Sequence, residues 1–313
     1  MTLAVVVPSA ANLRVTSTTL HFVRAALELG HEVQIIEPWD LRVEDHRVRA
    51  RAHVFAPCTA TAPQLLEQLA SRRTKRRRID LAAADLVLPR MTRPRSMVSD
   101  FCQLAAEQGA CVVNEPRAAR LVANKGWLAA QPDVPTPPSV VTYLQSTGEM
   151  FANQFDRVVV KPARGSGGHG VYRVRTSNSE AFEHAWQEAA WVGRGFVVVQ
   201  QYLPEADDGE TRALWLDGEV LGAYRRRRPP DGFQHNLSQG GIAQPWELTD
   251  EERAAVTRAS PALIRAGVRL AGLDLIGGMV VEANTLNPGG AFHADRLNHT
   301  DVGAEAIRRL LAR

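Results

Sequence analysis

The chain has 313 residues and carries 37 basic against 34 acidic side chains, a formal net charge of +3. Hydrophobic residues make up 45% and charged residues 23%, the balance of a folded globular protein, and the length predicts two or three subdomains. The near-neutral charge argues against nucleic acid as a partner, and with no apolar run of about 18 residues a transmembrane helix is excluded. No basic segment precedes the first apolar run, so no secretory signal is expected. Cys58, Cys102 and Cys111 form no CxxC pair, which suits a reducing cytoplasm and argues against a structural zinc site. Of the 37 basic residues only Lys75, Lys125 and Lys161 are lysines. Where arginine is so strongly favoured, the position of a lysine is informative.

In chain order, LAVVV (3–7) predicts a buried strand, and Thr18 to Leu29 a helix ended by Gly30. VQII (33–36), DLVLP (85–89) and CVVN (111–114) predict further strands, with a helix from Met97 to Gln108. This strand–helix–strand order implies a parallel sheet with helices on its faces. SRRTKRRRID (71–80) reads as a solvated loop or helix face, because no aromatic residue is interleaved with its charges. The proline-rich QPDVPTPPS (131–139) marks a boundary. Beyond it strands pair as hairpins: RVVVKP (157–162) with GVYRV (170–174), and TRALWLDGEVLGAY (211–224) about an Asp217-Gly218 turn. Helices are expected near 179–191, 250–266 and 302–312.

Two segments carry chemistry. In VVVKPARGSGGHGVYRV (158–174) a strand delivers Lys161 and a loop follows with Gly165, Gly167, Gly168 and Gly170. Glycines let backbone N–H groups converge on phosphate oxygens, and the lysine adds a point charge. The lysine precedes the glycines, so this is no Walker A loop, and an ordinary glycine-rich hairpin fits the pattern equally well. In GLDLIGGMVVEANTLNPGG (272–290), Asp274 lies on one strand, and Glu282 and Asn284 share a face of the next across a Gly277-Gly278 turn. Three hard oxygen ligands facing a phosphate suit Mg²⁺. An ordinary hairpin with a polar wet face is the alternative, weakened because that face would gather two acids with an apolar strand on either side. No GxSxG elbow and no His/Cys metal spacing is present, although His169, His235, His293 and His299 are candidates to touch phosphate or substrate.

In this order the motifs resemble the ATP-grasp carboxylate–amine ligases, and among them the bacterial glutathione synthetase family. The similarity runs to about residue 290 through PSAANLRV, RARAH (49–53), VVNEPRAARLVANK (112–125), VVKPARGSGG, VVQQYLP (198–204), GETRALWLDGE (209–219), HNLSQGG (235–241) and GLDLIG. The resemblance implies an ATP-grasp fold, α/β and α+β, behind an N-terminal parallel-sheet domain. The expected divisions are 1–122, a middle subdomain at 123–200, and a C-terminal subdomain with the metal site at 201–313. It further implies that Lys125 and Lys161 hold ATP phosphates under a loop of Gly165, Ser166, Gly167 and Gly168. Gln200, Gln201, Tyr202 and Leu203 would receive adenine, and Glu210 the ribose. Arg212, Arg227 and Asn236 would act on the reacting groups, with Arg226 one residue from that role, and Asp274, Glu282 and Asn284 would bind Mg²⁺, two ions that Mn²⁺ could replace.

The expected activity is ATP-dependent amide formation through an acyl phosphate, joining γ-glutamylcysteine to glycine, in a cytoplasmic homo-oligomer with small-molecule partners and no membrane or nucleic acid. The alternatives are a ligase of other specificity in natural-product biosynthesis, or a nucleotide-binding protein without turnover. Two departures bear on specificity. Gln234 stands where the family usually has arginine, and NTLNPGG (284–290) replaces its N-x-x-SP segment.

Overall fold

A computed structural model of the chain describes residues 1–71, 74–91, 96–165, 167–229, 235, 237 and 240–312. The first apolar run becomes β1 (Thr2–Val6), buried on both faces as the middle strand of a parallel sheet must be. Helix α1 (Thr18–Glu28) starts where the Ser17 hydroxyl accepts the Leu20 N–H at 3.2 Å. There follow β2 (Glu32–Ile36), β3 (Arg42–Glu44), β4 (Arg47–Phe55), α2 (Ala62–Ala70), β5 (Lys75–Asp80), β6 (Leu86–Pro89) and α3 (Ser96–Glu107). Strand β1 pairs in parallel with β2 and β6, as the sequence predicts.

The same sheet also carries an antiparallel arm that the sequence does not predict. Strand β4 pairs antiparallel with β2, β3 and β5, so the sheet is mixed. The arginine-rich 75–80 segment is therefore a strand rather than a loop or helix face. Its charges are met by acids on neighbouring elements: Arg76 pairs with Asp40, Arg77 with Glu32, and Arg47 with Asp80 at 2.8 Å. Residues 111–114 form no full strand; a single parallel bridge joins Val112 to Val87.

Short helices α4 (Pro116–Val122) and α5 (Lys125–Ala129) lead into a second sheet. It comprises β7 (Ser139–Thr142), β8 (Arg157–Pro162), β9 (Tyr172–Arg175) and β10 (Val197–Gln201) in the order β7-β10-β8-β9, all antiparallel. Helices α6 (Gln145–Ala152) and α7 (Ser179–Gly193) cover it through Phe182, Ala185, Trp186 and Ala189. A third sheet holds β11 (Glu210–Leu216), β12 (Glu219–Arg227), β13 (Ile242–Pro245), β14 (Leu270–Ile276) and β15 (Met279–Asn284) in the order β13-β12-β11-β14-β15. Helix α8 (Asp250–Arg265) packs on one face of it, and α9 (Ala291–Asn298) and α10 (Val302–Leu311) close the chain.

Two hairpins of the third sheet share one construction. Each turns through two residues of positive φ, Asp217-Gly218 in one and Gly277-Gly278 in the other, which matches the twist of the strands they join. Each then pairs twice in register, Leu216 with Glu219 and Trp215 with Val220, Ile276 with Met279 and Leu275 with Val280. Each next inserts one extra residue on its second strand. Leu214 pairs with Gly222, skipping Leu221, and Asp274 pairs with Glu282, skipping Val281. A bulge of this kind reverses which face every later residue of the strand presents. Glu282 and Asn284 thereby share the face of Asp274, and Arg226 that of Glu210 and Arg212.

The first and third sheets are joined through Asn114, which is 6% exposed. Its amide nitrogen donates to the carbonyls of Leu270 (2.6 Å) and Thr285 (2.8 Å), and its oxygen accepts from the Arg269 and Leu270 N–H groups at 2.9 and 2.8 Å. All four bonding positions of the amide are used. Replacing Asn114 with alanine takes the partner from four backbone groups, three of them in buried bonds, so the variant is expected to lose about 3 kcal/mol or more of stability. A denaturant-unfolding midpoint within error of wild type would contradict that account.

Candidate active site

A cleft of about 1030 Å³, part of it open to solvent, lies between the second and third sheets. Its walls include Lys125, Lys161, Gly165, Gly167, Gly168, Gln200, Gln201, Tyr202, Leu203, Glu210, Arg212, Asp274, Glu282 and Asn284, so the structure brings together nearly every residue the sequence singles out. Ser166 and Asn236, and the departure at Gln234, lie outside the described residues.

At the floor of the cleft the Asp274 carboxylate is 3% exposed. Arg212 Nε donates to its Oδ1 at 2.5 Å and Arg212 Nη2 to its Oδ2 at 2.9 Å, a bidentate fork. Arg226 Nη2 donates to the same Oδ1 at 2.7 Å and pairs with Glu210 Oε1 at 2.9 Å. Asn284 Nδ2 donates to Oδ2 at 3.1 Å. Burial alone would favour the protonated acid, but the two guanidiniums outweigh it and hold Asp274 at about 2. For Glu210 burial dominates and lifts the carboxyl to about 7, against the opposing pull of Arg226.

Arg227, expected among the reacting groups, is exposed and lies outside the cleft. Arg226 occupies the inward position, because the bulge at Leu221 reverses the parity that a regular hairpin would have. Arg226 Nε is buried without a hydrogen-bond partner among the described residues, an N–H donor left over beside the cleft.

Strand β8 carries Lys161 into the cleft wall, where Nζ donates to Gln200 Oε1 at 2.8 Å and to the carbonyl of Val281, the bulge residue of β15, at 3.3 Å. Burial, with the charge of Lys125 next, lowers the Lys161 ammonium to about 8. Lys125, the first residue of α5, donates from Nζ to the Gly165 carbonyl at 3.2 Å and lies 3.5 Å from Glu282 Oε1. Gly167, Gly168 and Gly170 all have positive φ, between 71° and 78°, which the hairpin needs and other residues resist.

Next to β10, Gln201 N–H bonds the Pro138 carbonyl and Tyr202 N–H the Arg157 carbonyl. Among the described residues Leu203 is left as the hinge residue whose N–H has no such partner. Gln200 enters the site through its side chain rather than its backbone. His169 and His235 also line the cleft, whereas His293 packs against Tyr224, ring centres 5.4 Å apart.

Sequence reading missed a brace behind this site. Three side chains hold consecutive backbone groups of the segment after Asn284: Arg90 Nη2 donates to Pro288 O at 2.7 Å, Arg212 Nη1 to Gly289 O at 3.1 Å, and Gly290 N to Thr18 Oγ1 at 2.8 Å. Arg90 is 3% exposed and follows β6, where the ends of parallel strands commonly meet ligands. Its place directly after an apolar strand was the available signal.

Asp274, Glu282 and Asn284 fit a hard divalent cation by donor type. The amide nitrogen of Asn284 is taken by Asp274 and the Gly272 carbonyl, which leaves its oxygen to coordinate. Glu282 is half-buried and faces the cleft. Asp274 shares its lone pairs with two arginines, so most of the coordination of such a cation would fall to Glu282, Asn284, water and ligand oxygens.

Comparison with known proteins gives concordant results. Residues 1–120 match the N-terminal domain of prokaryotic glutathione synthetase, and residues 127–299 its ATP-grasp domain. Glutathione synthetase of Thermosynechococcus vestitus is 31% identical over 220 residues, covering 69% of this chain and 68% of that protein. That of Synechococcus elongatus is 29% identical over 311 residues, covering 94% and 93%. The ATP-grasp ligase PsnB, solved with a phosphomimetic variant of its minimal precursor, Mg and ADP, superposes with a TM-score of 0.62 at 17% identity, covering 99% of this chain and 97% of that one.

The clamp makes a stability prediction independent of any ligand. Asp274→Asn leaves two buried guanidiniums short of their counter-charge and is expected to cost roughly 3 kcal/mol or more. Glu282→Gln, half-buried and losing only a 3.5 Å ion pair with Lys125, is expected to cost no more than about 1 kcal/mol. Equal unfolding midpoints for the two variants would remove Asp274 from its structural role.

Proposed function

Because the chain belongs to the prokaryotic glutathione synthetase family, we propose that it joins γ-glutamylcysteine to glycine, driven by conversion of ATP to ADP and phosphate. It is an ATP-dependent ligase of the ATP-grasp fold. The observation that carries the ligase reading is the single polar face on which two bulges gather Glu210, Arg212, Arg226, Asp274, Glu282 and Asn284, opposite Lys125, Lys161 and the glycine loop, while the substrates rest on the family.

In this reading Lys125 and Lys161 neutralise the phosphates, with N–H groups around Gly165 to Gly168 closing over them. Leu203 N–H receives the adenine, and Glu210 the ribose. Asp274, Glu282 and Asn284 would hold Mg²⁺, two ions in full and replaceable by Mn²⁺, which spreads the charge of the transferring phosphoryl group. A carboxylate oxygen of γ-glutamylcysteine attacks the γ-phosphorus; the bond to the ADP oxygen breaks and an acyl phosphate forms. The glycine amine then attacks the acyl carbon, its C–O bond breaks, a proton leaves the nitrogen, and phosphate departs with one former carboxylate oxygen. Arg212 and Arg226 would meet the charge that builds in both steps, and their hydrogen bonds to Asp274 support this because arginines already fixed need little reorganisation. An acyl phosphate hydrolyses readily, so the loop's exclusion of water is part of the chemistry.

Three separate sheets support divisions near 122 and 200, although one apolar core joins the first sheet to the third, and three cysteines without disulfides support a cytoplasmic setting. Homo-oligomer formation rests on family resemblance alone. The 287–290 segment favours one other reading, a ligase for a different acid and amine.

The test is a stoichiometric assay. With γ-glutamylcysteine, glycine and ATP, ADP and tripeptide are expected to appear one for one. ADP formation only with another acid and amine would establish the second reading. Lys161 adds a pH signature. Its ammonium sits at about 8 in the free protein, and phosphate contact raises it again, so ATP binding takes up a proton above that pH. ATP affinity is expected to fall as pH rises from about 8, with a calorimetric enthalpy that varies with the buffer. Lys161→Met is expected to bind ATP about ten- to a hundredfold more weakly and to abolish that dependence. A pH-independent affinity in wild type would contradict the role.

A further inference from the structure

His235 lines the same cleft, is 8% exposed, and has no part in the chemistry above. Its Nε2 lies 2.7 Å from the Ala206 carbonyl oxygen. A carbonyl only accepts, so Nε2 carries the hydrogen. Burial, reinforced by the charges of Arg226 and Arg228, keeps the imidazole below its ordinary pKa. The neutral ring therefore presents the Nδ1 lone pair, and Nδ1 lies 3.6 Å from Glu210 Oε2. That distance is too long for a hydrogen bond, and where Glu210 is ionised the two atoms are neighbouring acceptors with no donor between them. The other oxygen of Glu210 is already taken by Arg226. Two acceptors held side by side, each with a lone pair to satisfy, suit a ligand that offers two adjacent hydroxyl donors.

Their position selects the ligand. Only the turn Pro204–Asp207 and two further residues separate the hinge residue Leu203 from Glu210, and Ala206, which anchors His235, belongs to that turn. We propose that His235 Nδ1 and Glu210 Oε2 together clamp the two neighbouring ribose hydroxyls of the nucleotide, one accepting from each. This rests on the nucleotide reading above and extends it. Glu210 alone would grade nucleotides by a single hydroxyl, whereas the pair requires both.

The experiment measures binding of ATP, 2′-deoxy-ATP and 3′-deoxy-ATP by calorimetry to wild type and to three variants. His235→Gln keeps a donor that reaches Ala206 but loses the acceptor at Nδ1; His235→Asn keeps an acceptor near Nδ1 but loses the anchor; His235→Ala loses both. Wild type is expected to bind each deoxynucleotide about three- to tenfold more weakly than ATP. In the Gln and Ala variants the penalty for one of the two deoxynucleotides is expected to vanish while the other persists, and in the Asn variant part of it is expected to remain. Discrimination kept by Gln and lost by Asn would show that His235 only braces the turn, and would overturn the proposal. So would equal loss of affinity for all three nucleotides in every variant. If wild type bound ATP with no preference over either deoxynucleotide, the clamp would fall while the nucleotide reading stood; if wild type bound none of the three, both would fall.

Discussion

A β-strand alternates its side chains between two faces, so one inserted residue decides which set meets across a sheet. This chain makes that insertion twice. Without the bulge at Val281, Asp274 would face Val281, and Glu282 would be turned to the face packed by α8. Without the bulge at Leu221, Arg225 and Arg227 would point into the cleft and Arg226 away from it. The acid–base constellation therefore depends on two register shifts more than on any single side chain. Each shift follows a two-residue turn by the same two residue pairs, which gives the sheet a repeated device for placing charge.

Electrostatics follow from that placement. A carboxylate as buried as Asp274 stays ionised only where fixed cations surround it, and Arg212 and Arg226 supply them at hydrogen-bonding distance. The arginines are in turn fixed beside the cleft, with Nε of Arg226 buried without a hydrogen-bond partner among the described residues. On the opposite wall burial and the charge of Lys125 make the Lys161 ammonium give up its proton more easily than an ordinary lysine, a state that a bound phosphate would reverse. The cleft is thus arranged for polyanions before any is bound.

Much of this was legible in the sequence because it is written in spacing and rarity. Lys125 and Lys161 stood out among arginines, the glycines of 165–170 announced a loop of positive φ, and Glu282 and Asn284 lie two apart on one strand. Bulges have no such signature: nothing in LWLDGEVLGAY marks Leu221 as the extra residue, so the inward arginine was misplaced by one position. The antiparallel arm β3–β5 was hidden for a different reason. Its arginines break the apolar alternation that signals a strand, and the acids that pair with them lie far away in sequence, as Glu32 does from Arg77. The brace formed by Thr18, Arg90 and Arg212 is equally non-local, since each bonds backbone near residue 290.

The central claim is that this face drives amide formation through an acyl phosphate, and oxygen transfer tests it most directly. With γ-glutamylcysteine labelled with ¹⁸O in its cysteinyl carboxylate, and with glycine and ATP, mass analysis of the released phosphate is predicted to show one labelled oxygen per phosphate. Tripeptide formed alongside unlabelled phosphate, or alongside AMP in place of ADP, would contradict the account.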